Sequence, residues 1–90
     1  MTVIRRINCA RLEDISGFYE VIAKKLDFPE WFGKNLDALA DVLGDVGRDT
    51  KLIIRGFDGF SAKIGEKGEV LKSVLEEASE ENPSLTVVFR

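Results

Sequence analysis

The chain has 90 residues, of which 44% are hydrophobic and 32% are charged, with a formal net charge of −3. A chain of this length supports one hydrophobic core, so residues 1–90 are expected to form a single domain, which excludes a multi-domain enzyme. The acidic balance excludes a general nucleic-acid binder, because neutralising phosphates requires a basic surface. It indicates basic partners instead.

The sequence has no histidine and one cysteine, Cys9. Missing histidines exclude the Ser-His-Asp triad and the Cys-His pair, and a single cysteine excludes an internal disulfide and a Cys-rich zinc site. The glycines match no nucleotide-binding motif. We therefore expect no catalytic residue, no metal and no cofactor. Since no apolar run is long enough for a membrane span or a signal peptide, we expect a cytoplasmic protein without a membrane partner.

Three short apolar runs, at residues 3–7, 52–54 and 85–89, predict β-strands. They are rich in β-branched residues and nearly continuous, which is typical of strands covered by helices on at least one face. The intervening stretches of roughly 45 and 30 residues are too long for hairpins and suit helical crossovers. The sequence therefore predicts an α/β fold with a three-stranded parallel sheet.

The first crossover contains two predicted helices. Apolar residues at helical spacing predict the first over residues 13–26, and Pro29 and Gly33 mark a loop over residues 27–33. Asn35 is a good N-cap for the second helix, which carries a leucine stripe and is predicted to end near residues 44–47.

The second crossover begins at residues 56–60, which carry two aromatic anchors and predict either a turn or a short helix. A third long helix is predicted over residues 68–81 and stops at the Asn82-Pro83 step. Its predicted inward side chains are Val70, Leu71, Val74, Leu75 and Ala78.

Acidic residues are concentrated in two segments. Residues 30–45 hold four acids and one base, a local charge of −3, and residues 76–81 add four glutamates. At 100° per residue from Leu36, Asp37, Asp41 and Asp45 lie at about 100°, 140° and 180°, on one flank of the second helix. Like charges four residues apart destabilise a helix, and Asp45 lies at the negative end of the helix dipole. Such a flank is either a solvated face that keeps the protein soluble or a binding surface.

Two aromatic residues, Trp31 and Phe32, directly precede this helix. Helical phase directs Phe32 toward the leucine stripe and Trp31 away from it. An outward aromatic ring beside fixed carboxylates resembles a recognition patch, although a loop aromatic can also cover the edge of a core.

Catalysis and metal binding by the carboxylates are weakly supported. Asp37 and Asp41 could act as an acid/base pair only in a cleft that separates their pKa values, and a domain this small gives no sign of one. Asp41, Asp45 and Asp49 lack the tight loop spacing of a calcium site.

The segment from Leu26 to Leu43, Leu-Asp-Phe-Pro-Glu-Trp-Phe-Gly-Lys-Asn-Leu-Asp-Ala-Leu-Ala-Asp-Val-Leu, resembles the signature of the barstar family, intracellular inhibitors of the secreted ribonuclease barnase. The family pattern, P-E-aromatic-aromatic-G-x-N-L-D-A-L-x-D, is matched from Pro29 to Asp41. The order of predicted elements resembles that of the family over essentially the whole chain.

This resemblance implies a two-layer fold with helices packed on one side of the sheet, and an exposed second helix that enters a ribonuclease active site. By the same resemblance, Asp41 takes the place of an RNA phosphate, Asp37 is a second interface acid and Asn35 an interface amide. The implied partner-binding residues are Trp31, Phe32, Gly33, Asn35, Asp37, Asp41, Gly44, Asp45 and Glu77. The implied partner is a basic microbial ribonuclease, and the free inhibitor is expected to be monomeric.

The chain departs from the family's type member at three interface positions. Ala40 and Val46 replace aromatic residues, and Gly44 replaces a threonine. Because buried aromatic rings often supply much of the binding energy, these departures favour a related guanyl-type ribonuclease or toxin domain over barnase itself. A second interpretation is an acidic interaction module of the same fold whose basic partner is not a nuclease.

Overall fold

The computed structural model describes residues 1–90 as three β-strands, four α-helices and one turn of 3₁₀ helix. The elements in chain order are β1 (Val3–Asn8), the 3₁₀ turn (Cys9–Arg11), α1 (Ile15–Lys25), α2 (Leu36–Gly44), β2 (Thr50–Arg55), α3 (Phe57–Ile64), α4 (Glu66–Glu81) and β3 (Leu85–Phe89). No helix is both long enough and apolar enough to span a bilayer.

The strands form one parallel sheet in the order β1-β2-β3. This confirms the predicted α/β fold with a three-stranded parallel sheet, in which β2 is the central strand. Leu52 and Ile54 of β2 point into the main core, so alternation directs Lys51 and Ile53 to the opposite face of the sheet. The buried side chains of all four helices lie in that same core, so the helices pack on one side of the sheet.

The core is held largely by leucine, isoleucine and phenylalanine side chains from every layer. Phe18 of α1 stacks on Phe60 of α3 with ring centroids 5.9 Å apart, and Phe57 meets Phe89 of β3 edge to face at 5.2 Å. Leu39 and Leu43 of α2 are fully buried in the same cluster. This packing fixes α2 against the rest of the domain.

The structure decides one open prediction and corrects another. Residues 56–60 form the start of α3, as the prediction of a short helix has it, and the buried rings of Phe57 and Phe60 stabilise this helix. Val70 of α4 is 48% exposed rather than inward, because it lies well to one side of the buried stripe of Leu71 and Leu75.

Candidate protein-binding surface

The loop before α2 is tied to the helix by Asn35, which is the N-cap that the sequence predicts. Its side-chain Oδ1 accepts a hydrogen bond from the backbone N–H of Ala38 at 2.8 Å, and its Nδ2 donates to the carbonyl of Gly33 at 3.4 Å. A Cβ at Gly33 would lie 3.5 Å from the Cβ of Ala38, so the loop backbone passes close to the helix. Loop and helix therefore form one continuous surface.

Two sides of α2 have opposite environments. Leu39, Val42 and Leu43 are buried, whereas the three aspartates of the predicted flank, Asp37, Asp41 and Asp45, are exposed. None of the three is in an ion pair: the one salt bridge of the protein joins Lys34 Nζ to Glu20 Oε1 at 3.7 Å. Lys34, the one basic residue of residues 30–45, thus pairs with an acid of α1, and the aspartate flank keeps its full negative charge.

The two aromatic residues of the loop take different roles. Trp31 is 74% exposed, and it lines a shallow depression of about 160 Å³ together with Asp45 and Val46. The ring of Phe32 is buried, as its predicted orientation toward the leucine stripe has it, and its role as a contact residue stays a prediction. The ring packs edge to face against Phe28 at 5.1 Å and Tyr19 at 6.0 Å, so it supports the loop from inside.

A groove of about 370 Å³ runs between α2 and α4. Ala40 and Gly44 line it from α2, and Val74, Glu77 and Glu81 line it from α4. The small side chains of α2 keep this groove open, and the exposed glutamates add negative charge beside the aspartate flank. Glu77 and Gly44 therefore line the same groove from opposite helices. Glu81 was not predicted; the signal was its position one helical turn after Glu77.

The C-terminal end of α2 is held by Asn82, which local sequence signals identify only as a helix stop. Asn82 is 9% exposed, and its Nδ2 donates to the carbonyls of Leu43 and Val46, both at 2.9 Å. Its Oδ1 accepts from the backbone N–H of Ser84 at 2.9 Å. Asn82 thus connects the end of α4 and the approach to β3 with the end of α2.

These features define what we call the acidic surface, which comprises Trp31, Asp37, Asp41, Asp45, Glu77 and Glu81. Its carboxylates are presented on two helices that are fixed to each other, and such an arrangement suits binding of a cationic protein surface.

Metal binding and a reactive cysteine find little support in the structure. No group of three or more cysteine or acidic side chains is placed to hold a metal ion. Cys9 is buried, and burial raises the pKa of its thiol to about 11, which keeps it protonated and unreactive at neutral pH.

Comparison with known proteins gives a consistent result. The family described as Barstar (barnase inhibitor) matches residues 2–90. A Bacillus subtilis (strain 168) protein named "Putative ribonuclease inhibitor YrdF" is 36% identical over 70 residues, which cover 77% of this chain and 77% of that protein. With a match that spans nearly all of its length, the chain belongs to the barstar family.

Proposed function

We propose that this chain is a ribonuclease inhibitor that blocks the active site of a secreted, basic, guanyl-type microbial ribonuclease or toxin domain. Membership of the barstar family and the name of the Bacillus relative support the inhibitory role. The observation that carries the mechanism is the row of exposed aspartates on α2, none of which has a basic partner within the chain.

A ribonuclease binds a polyanion, so its cleft must present cationic side chains. Asp41 lies in the middle of the row and would occupy the position of an RNA phosphate, with Asp37 and Asp45 on either side. An aspartate carboxylate offers negative charge but no scissile phosphodiester bond, so the nuclease has nothing to cleave. The inhibitor therefore acts by binding and not by catalysis.

The two fixed ends of α2 favour tight binding. Asn35 caps its first turn, and Asn82 bonds the carbonyls at its last turn. A surface that is already ordered before association loses less conformational entropy when it binds. Exposed Trp31, and the groove between α2 and α4, would then provide apolar contact beside the charges.

Opposite charges should also accelerate the encounter. The acidic surface and a cationic cleft attract one another at long range, which raises the association rate above the ~10⁵ to 10⁶ M⁻¹s⁻¹ of neutral partners. This attraction is screened by salt, since the Debye length is only about 8 Å at physiological ionic strength.

The test is an RNA-cleavage assay in which the chain is titrated against purified guanyl-type ribonucleases. The wild type should inhibit stoichiometrically, and the double variant Asp37→Asn/Asp41→Asn should lose inhibition. The matched control, Asp49→Asn/Asp58→Asn, removes two exposed charges outside the acidic surface and should inhibit as the wild type does. Equal inhibition by both double variants would contradict the phosphate-mimic mechanism.

A basic partner that is not a nuclease is the alternative function. It is supported by the exposed ring of Trp31 and the aspartates without ion pairs, which suit any cationic protein surface. If no guanyl-type ribonuclease is inhibited while Trp31 and Asp41 remain essential for binding another basic protein, this alternative replaces the inhibitor proposal.

A further inference from the structure

The face of the sheet that points away from the helices is basic. We call it the open sheet face and define it by Arg6, Lys51, Ile53, Arg55, Val88 and Arg90. Strand alternation places Lys51, Ile53 and Arg55 there, because Leu52 and Ile54 point into the core. The parallel register aligns Arg6 with Ile53 and Val88.

Arg55 is the last residue of β2, and Arg90, which directly follows β3, lies beside it. The backbone N–H of Arg90 donates to the carbonyl of Ile54 at 2.8 Å, and the N–H of Gly56 donates to the carbonyl of Arg90 at 3.2 Å, so Arg90 flanks Arg55. Like charges that face each other across strands are destabilising. None of the four basic side chains of the open sheet face is in an ion pair, and the outward positions of the three strands include no acid.

The centre of this face is apolar. Ile53 is only 6% exposed although it lies outside the main core, so neighbouring side chains on the open sheet face cover it. Long basic side chains can cover apolar surface with their aliphatic stems while their charges remain in water. The open sheet face is therefore a patch with an apolar centre and a cationic rim.

We propose that the open sheet face binds the acidic surface of a second copy of this chain, head to tail. The two surfaces carry opposite charge, and they belong to different layers, one to the open face of the sheet and the other to the helices that cover its other face. One copy therefore cannot neutralise its own surfaces, whereas two copies can pair them. Because the interface joins two different patches, each pair leaves one free surface of each kind.

The size of the open sheet face sets the strength of this association. Three strands about 4.8 Å apart and five residues with a rise of about 3.3 Å give an area of roughly 14 Å by 17 Å. A stable interface buries about 800 Å² on each partner, so this contact is weak and depends on charge. The chain is then monomeric when dilute and associates at high concentration and low salt, where a second copy and a cationic partner compete for the same acidic surface.

Sedimentation velocity at millimolar protein concentration tests the proposal without any nuclease. The wild type should sediment faster as concentration rises in low-salt buffer and should return to monomer on addition of salt. The variants Arg55→Glu/Arg90→Glu and Asp37→Asn/Asp41→Asn should each remain monomeric alone. Mixed together, they should form a one-to-one dimer, because each keeps the surface that the other has lost. The control Lys67→Glu changes an exposed cation on α4 and should associate like the wild type.

Three results would overturn the proposal. They are a wild type that stays monomeric throughout, a variant that still associates alone, or a mixture of the two variants that forms no dimer. Binding of single-stranded RNA to the wild type but not to Arg55→Glu/Arg90→Glu, without self-association, would assign the face to phosphate instead. Nuclease inhibition by Arg55→Glu/Arg90→Glu should be intact, so failure here is distinct from failure of the inhibitor proposal.

Discussion

The two sides of α2 are built from the same nine residues but serve opposite purposes. On one side, Leu39, Val42 and Leu43 are buried and contribute to the free energy of folding. On the other side, Asp37 and Asp41 stand four residues apart without a basic neighbour, an arrangement that costs a few tenths of a kcal/mol in a helix.

This difference separates what the fold requires from what binding requires. The domain would be at least as stable if the exposed side carried neutral helix-forming residues, since aspartate is a weak helix former. Under the proposed function, binding of a cationic partner accounts for the acidic side. Substitutions on the two sides should accordingly change different measurements, stability on one side and affinity on the other.

The largest effect is expected from Leu39→Ala on the buried side. Leu39 is completely buried, so truncation removes apolar contacts and leaves a cavity, and the free energy of unfolding should fall by about 2 to 5 kcal/mol. Denaturant titration measures this loss. A decrease below about 1 kcal/mol would show that this side of α2 is not part of the core.

On the exposed side, Asp41→Ala should weaken binding to the cationic partner by at least about 2 kcal/mol, the usual threshold for a dominant interface residue. Stability should be unchanged or slightly higher, because the substitution removes a like-charge repulsion and introduces a better helix former. Titration calorimetry and denaturant titration on the same sample measure both quantities. Equal affinity of variant and wild type at all salt concentrations would remove the distinction between the two sides.

Local sequence signals predicted most of α2. The Asn35 cap, the buried leucine stripe and the exposed aspartates all follow from spacing within a few residues, and the structure has each of them. The different exposures of Trp31 and Phe32 agree with the prediction from helical phase, although both residues lie in the loop before α2 and only burial against Tyr19 and Phe28 shows that Phe32 belongs to the core.

Features that depend on distant contacts were not predictable in this way. α3 begins after Gly56, whose φ of 71° is left-handed and which has no side chain to cap the helix, so local signals left a turn and a short helix both open at residues 56–60. Its helical form depends on Phe57 and Phe60 packing against Phe18 of α1. Asn82 is likewise read locally as a helix stop, whereas its partners at Leu43 and Val46 lie 39 and 36 residues away in the sequence.

Asn82→Ala tests whether the hydrogen bonds at the end of α2 stabilise its buried side and also hold its acidic side in the binding geometry. The substitution removes the donor to two carbonyls and the acceptor of the Ser84 N–H, so stability should fall by about 1 to 3 kcal/mol. Affinity for the cationic partner should fall as well, although no acidic residue is altered. Asn82→Asp keeps the size but lacks the donor, and should lose at least as much stability. A loss below about 0.5 kcal/mol in both variants would mean that burial of Leu39 and Leu43 alone fixes the helix.

The smallest expected effects are changes in stability of opposite sign at the two ends of the acidic side. Asp45 is the C-cap of α2, where its negative charge opposes the helix dipole, so Asp45→Asn should raise stability by about 0.3 to 1 kcal/mol at low ionic strength. Asp37 lies in the first turn, where the dipole favours a negative charge, so Asp37→Asn should lower stability by a similar amount. Both differences should shrink in high salt, whereas both variants should bind the cationic partner less tightly. Changes of the same sign in the two variants would show that the neighbouring carboxylates, rather than the helix dipole, determine the stability of this side.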